Sequence, residues 1–393
     1  MRIIKEVWKN DSEPIIAIMI VLLVFGTINV ASASFALGTQ DYNNPHFFLL
    51  RQLVWVAVSI GVFLVCRKIP YYKWRPIIFV LFLIVSIALV LVLFIGPAVN
   101  GSQRWIIVGP LSFQPSELAK LLSIMMAAAS LSSYMRRNKP ASIFNGQFAL
   151  ILVMAALTER EPDLGTAVVI CAVPLLMAVI VGLRRWILMF LGAVGVALFA
   201  FMVISQPYRL ERVMVMLNPE AYAQDEGFQI MQSLATIGSG GLFGMGLGDG
   251  VSKYFYLPEA HTDFAFAIFC QEHGFVGALL VLALFALLTM LIARVAGKAR
   301  DEFGQVLALG IMLLIMGQAI VNLLMVAGFC PVVGVPLPFI SYGGSSLLVT
   351  MAAIGIVVNI SDIANAERHS HPENTPPQEG ERRTDMESIE KTA

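Results

Sequence analysis

Charge is scarce in this 393-residue sequence: 13% of its residues are Asp, Glu, Lys or Arg and 58% are apolar, against about 25% and 45–50% in ordinary soluble domains. A chain built only of soluble domains is excluded, because no soluble core could hide that much apolar surface. The 26 basic and 26 acidic residues cancel. That balance averages basic inner loops with an acidic tail and identifies no partner, and nucleic acid is not an expected ligand. Only four cysteines occur, Cys66, Cys171, Cys270 and Cys330, with no CxxC spacing. Neither a disulfide framework nor a metal knuckle is therefore indicated. The one glycine-rich run has no GK[ST] after it and no strand before it, which rules out a P-loop and a dinucleotide fingerprint. No small-residue cleavage site follows the first apolar stretch, so that stretch is expected to stay as a helix.

What the sequence does have is long apolar runs. A span needs about 20 mainly apolar residues, and ten stretches are read as spans: 14–36, 48–66, 76–95, 117–134, 146–158, 166–183, 186–205, 264–293, 304–328 and 345–361, the fifth being short. Basic residues of short loops stay on the cytoplasmic side. Arg2, Lys5, Lys9, Arg67, Lys68, Lys73, Arg75, Arg136, Arg137, Lys139, Arg184, Arg185, Arg294, Lys298 and Arg300 fall on one side, leaving Arg104, Arg160, Arg209, Arg212 and Lys253 on the other. The expected fold is an all-α integral membrane protein of about ten transmembrane helices, with both termini cytoplasmic. A large extracytoplasmic loop, 206–262, lies between helices seven and eight. Residues 1–364 form the membrane domain, and 365–393, too polar to fold alone, a disordered cytoplasmic tail.

Polar residues that hydropathy alone would exclude are the informative ones in such a chain, and they gather on the outer side. "PYRLERV" sets Arg209 and Arg212 on one face of a helical turn. "FQIMQSLATIG" carries Phe228, Met231, Leu234 and Ala235 at helical spacing, which predicts an amphipathic helix at the interface. The glycine-rich run Gly238 to Gly250 reads either as a flexible connector or as a mobile lid. In "YLPEAHTDF", Thr262 is placed as an N-cap and Asp263 as the first helical residue. Asp263 then either complements the helix dipole or serves chemistry, and the crowding of Glu259, His261 and Asp263 favours the second, since a cap needs only one such group. Before span four, Arg104, Gln114, Ser116, Glu117 and Lys120 approach the membrane together. Lys120 either pairs with Glu117 or belongs to an anion site. "TEREPDLGT" adds Glu159, Arg160, Glu161 and Asp163, and "CPVVGVPLPFISYGGSS", which contains Ser341, has prolines that forbid a regular helix.

In their order and spacing, "RWI" with "FQPSELAK", "EPDLGT", "PYRLERV", "QSLATIGSGGLFGMGLGDG", "YLPEAHTDF" and "LPFISYGGSS" resemble the SEDS family (shape, elongation, division and sporulation) of the FtsW and RodA type, over nearly the whole chain before the tail. The wording of "YLPEAHTDF" is nearer the division branch. The resemblance implies a ten-helix peptidoglycan glycosyltransferase of a bacterial plasma membrane that polymerises lipid II beside a class B penicillin-binding protein and other division or elongation proteins, with the family's essential aspartate falling on Asp263. Two departures stand out: Gln271, Glu272 and His273 replace a pair of acids, and "VVGVPLP" replaces another wording.

The residues supply what such a substrate needs. Asp263 would act as general base on the acceptor sugar's hydroxyl in an inverting transfer. Arg104, Lys120, Arg209, Arg212 and Lys253 are candidates for the diphosphate, and Gln114, Ser116, Glu259, His261 and Ser341 for the rest of the substrate. No organic cofactor is called for, and a divalent cation, Mg or Mn, has a place at the diphosphate, with metal ligands unknown. A lipid II flippase would use Glu272 at mid-membrane, yet there is no inverted repeat. A non-catalytic scaffold recruiting a transpeptidase would make the Asp263 cluster dispensable. Small residues Gly277, Ala278, Ala283 and Ala286 on span eight are expected to let a partner helix approach.

Overall fold

A computed structural model of the protein describes residues 10–99, 102–109, 111–217, 219–222, 226–254 and 256–370. In chain order the helices are α1 (Ser12–Ala33), α2 (Phe35–Tyr42), α3 (Phe47–Lys68), a 3-10 turn (Tyr71–Ile77), α4 (Ile78–Ile95), α5 (Pro115–Arg136), α6 (Gly146–Arg160), α7 (Leu164–Val181), α8 (Arg185–Ile204), α9 (Pro207–Leu217), a 3-10 turn (Pro219–Tyr222), α10 (Glu226–Ser239), α11 (Ala265–Lys298), α12 (Glu302–Val326) and α13 (Gly344–Ser370). Between α4 and α5 lie two small antiparallel hairpins, Ala98–Val99 with Ser102–Gln103, and Ile106–Val108 with Leu111–Phe113. Among the described residues, eight helices are long and apolar enough to cross a membrane, which makes this a multi-pass all-α membrane protein. The fifteen-residue α6 is too short to count among them.

Helices α5 and α13 sit at the centre, with 78% and 83% of their membrane windows buried against 28% for α3. Composition explains α5. Its run Ala127, Ala128, Ala129, Ser130 and Ser132 is buried, and small residues let neighbouring backbones close on it where hydrophobicity cannot drive helix association. Outward-facing helices show the opposite pattern: Phe79, Ile84, Ile87 and Phe94 of α4 are exposed, as lipid-facing positions should be.

Basic side chains gather where α3, α5 and α11 end. Arg67 pairs with Asp362 at 3.1 Å, Arg300 with Glu367 at 2.9 Å and Arg136 with Glu302 at 3.5 Å, and Lys298 pairs with Asp11. One expected boundary moves: α13 continues to Ser370, so 365–370 are helical, tied down through Glu367. The rest of the expected tail, 371–393, lies outside the described residues.

The predicted amphipathic helix is α10. Phe228, Met231 and Leu234 are exposed on it while Ile230 and Ser233 face inward, the Ser233 hydroxyl donating to Val326 O at 2.8 Å. The glycine-rich run is neither free connector nor open lid, because α11 is broken at Gly274 (φ 66, ψ −167) and the run docks into the break. Met245 and Gly246 donate to the freed carbonyls of Gln271 and Glu272 at 2.9 and 3.2 Å, and Phe275 and Val276 donate to Gly241 O and Leu242 O at 2.9 and 3.1 Å. Buried backbone groups must be paired, and here one segment pairs both lips of the break. Glycine is required for it: at φ +84, a Cβ on Gly244 would stand 2.1 Å from Glu272 O.

Candidate functional site

Asp263 lies two residues before α11, in a turn rather than at a helix cap. The expected capping is corrected here. Phe264, with no side-chain cap bond, precedes the helix, and the Thr262 hydroxyl is taken by the Glu259 carboxylate at 2.6 Å. The turn is held by main-chain contacts from three directions. Asn322 Nδ2 of α12 donates to Asp263 O and to Val335 O, both at 2.8 Å. Asn29 Nδ2 of α1 donates to Ala265 O at 2.9 Å, and Tyr342 N donates to His261 O at 2.9 Å. Because these bonds use carbonyls, the Asp263 carboxyl stays available, beside Gly334, where a Cβ would sit 3.5 Å from Oδ2.

Burial, then the Glu259 and Asp163 charges, push Asp263 up to about 7, against the pull of Arg212 and Arg104. A carboxyl held there is poised to exchange a proton near neutral pH. Burial also drives His261 below its usual value, opposed by Glu259; its ring lies against Phe48 and Tyr342, with centroids 4.9 and 5.6 Å away. Arg104 Nε donates to Glu161 O at 3.0 Å and its Nη2 to Pro162 O. Arg212 Nη1 donates to Val332 O at 2.8 Å. Asp163 caps α7 through Thr166 N at 3.1 Å and accepts from Gln114 Nε2 at 3.0 Å. Glu161 is fully buried, with no hydrogen-bond partner for either carboxyl oxygen among the described residues. Burial first, then Asp163, raises it to about 8, so it holds its proton at neutral pH.

Of the residues expected at the site, Asp263, Glu259, His261, Arg104, Arg212 and Gln114 come together. Lys120 does not join them as a free cation: its Nζ is 2.7 Å from Glu117 Oε1 and both side chains are buried, so the pairing alternative holds. Ser116 is buried in α5. Ser341 is buried and accepts from Leu337 N at 3.0 Å, closing a turn. Lys253 is buried in an ion pair with Glu272 and is not presented to a diphosphate. The side chain of Arg209 lies outside the described residues. Sequence reading missed Asn29 and Asn322. Each is a polar residue within an otherwise apolar span, and that was the signal available.

Fold and site define a multi-pass membrane protein with an acid–base centre at one end of its bundle, between cations held on main-chain carbonyls. The chain belongs to the FtsW/RodA/SpoVE family, whose model, described as cell cycle protein, matches residues 13–366. It is 38% identical over 353 residues to a probable peptidoglycan glycosyltransferase FtsW of Trichlorobacter lovleyi, covering 88% of this chain and 92% of that one. It is 40% identical over 353 residues to stage V sporulation protein E of Bacillus subtilis, covering 88% and 96%. A solved chain from a study of how a peptidoglycan synthase complex coordinates polymerization and crosslinking superposes with a TM-score of 0.71 at 27% identity, covering 88% of this chain and 96% of that one.

Proposed function

We infer that this chain is a peptidoglycan glycosyltransferase that polymerises lipid II, with Asp263 as general base. The observation that carries the assignment of the base is the Asp263 carboxyl itself, pushed up to about 7 between Glu259 and the two arginines. In this reading it takes the proton of the acceptor GlcNAc 4-hydroxyl. That oxygen attacks the anomeric carbon of the donor's MurNAc, the bond to the diphosphate breaks, and the configuration inverts. Diphosphate is already a good leaving group, so no paired acid is required, unlike the two carboxyls of a glycosidase. Arg104 and Arg212, with Arg209, meet the developing charge. A divalent cation, Mg or Mn, would add charge stabilisation for the departing diphosphate; among the described residues no group of three His, Cys, Asp or Glu side chains could hold it, so on the protein side that charge would fall to Arg104 and Arg212.

The reading extends to topology and partners. Counting α6 and α8 with the eight spans already described gives ten crossings, with both termini and the paired basic end cytoplasmic and the 206–262 segment outside. A class B penicillin-binding protein is the proposed partner, its single span lying along α11, where Leu279, Leu280, Leu282 and Met290 are exposed. The flippase alternative loses its motive, since Glu272 is neutralised by Lys253 at 2.9 Å. The test is purified protein incubated with lipid II, with and without the partner. Glycan strands are expected, and their absence in both cases would overturn the assignment.

A further inference from the structure

Lys253 and Glu272 stand apart from the cluster around Asp263, and the chemistry above does not use them. They are nevertheless the ends of the stretch that carries it. Lys253 Nζ donates to Glu272 Oε1 at 2.9 Å, to Gly248 O at 2.6 Å and to Ser32 Oγ at 2.9 Å. The Ser32 hydroxyl donates in turn to Glu272 Oε1 at 2.5 Å. The two charged side chains are 3% and 0% exposed. Beside them Gln271 Nε2 donates to Ser239 Oγ at 2.8 Å and Ser252 Oγ at 3.0 Å. Asp263 lies between Lys253 and Glu272 in sequence, and the short helical stub from Ala265 to the break at Gly274 connects it to the ion pair. At one end Asn322 and Asn29 hold the stub by its carbonyls. At the other the ion pair and the docked glycine-rich run hold it.

A buried ion pair is a poor way to gain stability, because well-packed apolar residues often do as well. It does fix register: two buried charges meet in one arrangement only, and the glycine-rich backbone they clamp would otherwise have many conformations open to it. We propose that the Lys253–Glu272 pair positions Asp263, locking the glycine-rich run into the break of α11 and so setting where the stub places the carboxyl. The two are positioning residues. The proposal rests on the reading of Asp263 as the base and adds a claim that can fail separately.

The test uses the full chain in detergent or nanodiscs with lipid II as substrate, and compares Glu272→Gln, the uncharged pair Lys253→Met with Glu272→Gln, and the exchanged pair Lys253→Glu with Glu272→Lys. Misplacing a reacting group by about an ångström costs up to about 100-fold, so the uncharged pair is expected to stay folded yet lose about tenfold or more in kcat, with the half-saturating lipid II concentration unchanged. The exchanged pair is expected to recover most of that loss. Wild-type kcat in the uncharged pair, or a raised KM with kcat intact, would overturn the proposal, the second by returning Lys253 to the diphosphate. An uncharged pair that no longer elutes as folded protein would also overturn it, by making the ion pair a support of the fold. Asp263→Asn is measured alongside. Activity in Asp263→Asn would sink the base assignment, whereas an inactive Asp263→Asn with a fully active uncharged pair would sink only the positioning claim.

Discussion

At the end of the bundle where α3, α5 and α11 finish, acids and bases neutralise one another: Arg67 with Asp362, Lys298 with Asp11, Arg300 with Glu367 and Arg136 with Glu302. At the end where α5, α7 and α11 begin, Glu117 and Lys120 pair within α5, but the groups around Asp263 are held differently. Arg104 and Arg212 donate to main-chain carbonyls, Asp163 is engaged by Gln114 and a backbone N–H, and Asp263 is left to be raised by its surroundings. A carbonyl orients a guanidinium without cancelling its charge, so Arg104 and Arg212 still attract an anionic ligand arriving there. The paired end anchors the bundle, and the other end holds the candidate site.

The largest break in that contrast comes from Asp263→Asn. General base catalysis contributes about 10²–10⁴-fold, so glycan formation should fall to background. Melting should change little, since the anchors of this turn bind the Asp263 carbonyl and not its carboxyl. Next is Asn322→Ala, which strands the carbonyls of Asp263 and Val335 together. Unsatisfied buried groups cost about 1–3 kcal/mol, so both thermal stability and polymerisation should drop, which would separate this variant from Asp263→Asn in a melting curve.

Smaller effects sharpen the comparison. Glu259→Gln removes a like charge that raises Asp263 and should move the acidic limb of the pH–rate profile downwards, while Arg212→Gln removes an opposing charge and should move it upwards. Shifts in the same direction would contradict the site's electrostatics. The smallest change belongs to the paired end. Arg136→Ala breaks an exposed pair, with side chains 55% and 36% accessible, and such pairs contribute about 0–1 kcal/mol, so both melting temperature and polymerisation should stay close to wild type.

Helix positions were largely legible because apolar runs of span length carry their own signal, and Asp263 stood out because titratable residues rarely crowd as Glu259, His261 and Asp263 do. Pairing was legible only in part. Lys120 read either as pairing with Glu117 or as part of an anion site, and the fold takes the first; Lys253 read as a cation for the diphosphate, yet it meets Glu272 beside the helix break. Nothing in hydropathy marks that break, since Gly274 is one glycine in an apolar run. Its meaning depends on residues 241–246 arriving to pair the freed backbone. Asn29 and Asn322 went unnoticed for a related reason: a single amide in a span signals a polar contact without saying to what.

The most direct test of the Asp263 assignment is the pH dependence of kcat/KM for lipid II polymerisation by the purified protein with its partner. Only the ionised carboxylate can take the hydroxyl proton, and the carboxyl is raised to about 7. The rate should therefore fall by about tenfold per unit as pH drops below that value and level off above it. A profile flat from about pH 5.5 upwards, as an ordinary solvated aspartate near 3.9 would give, would contradict the account.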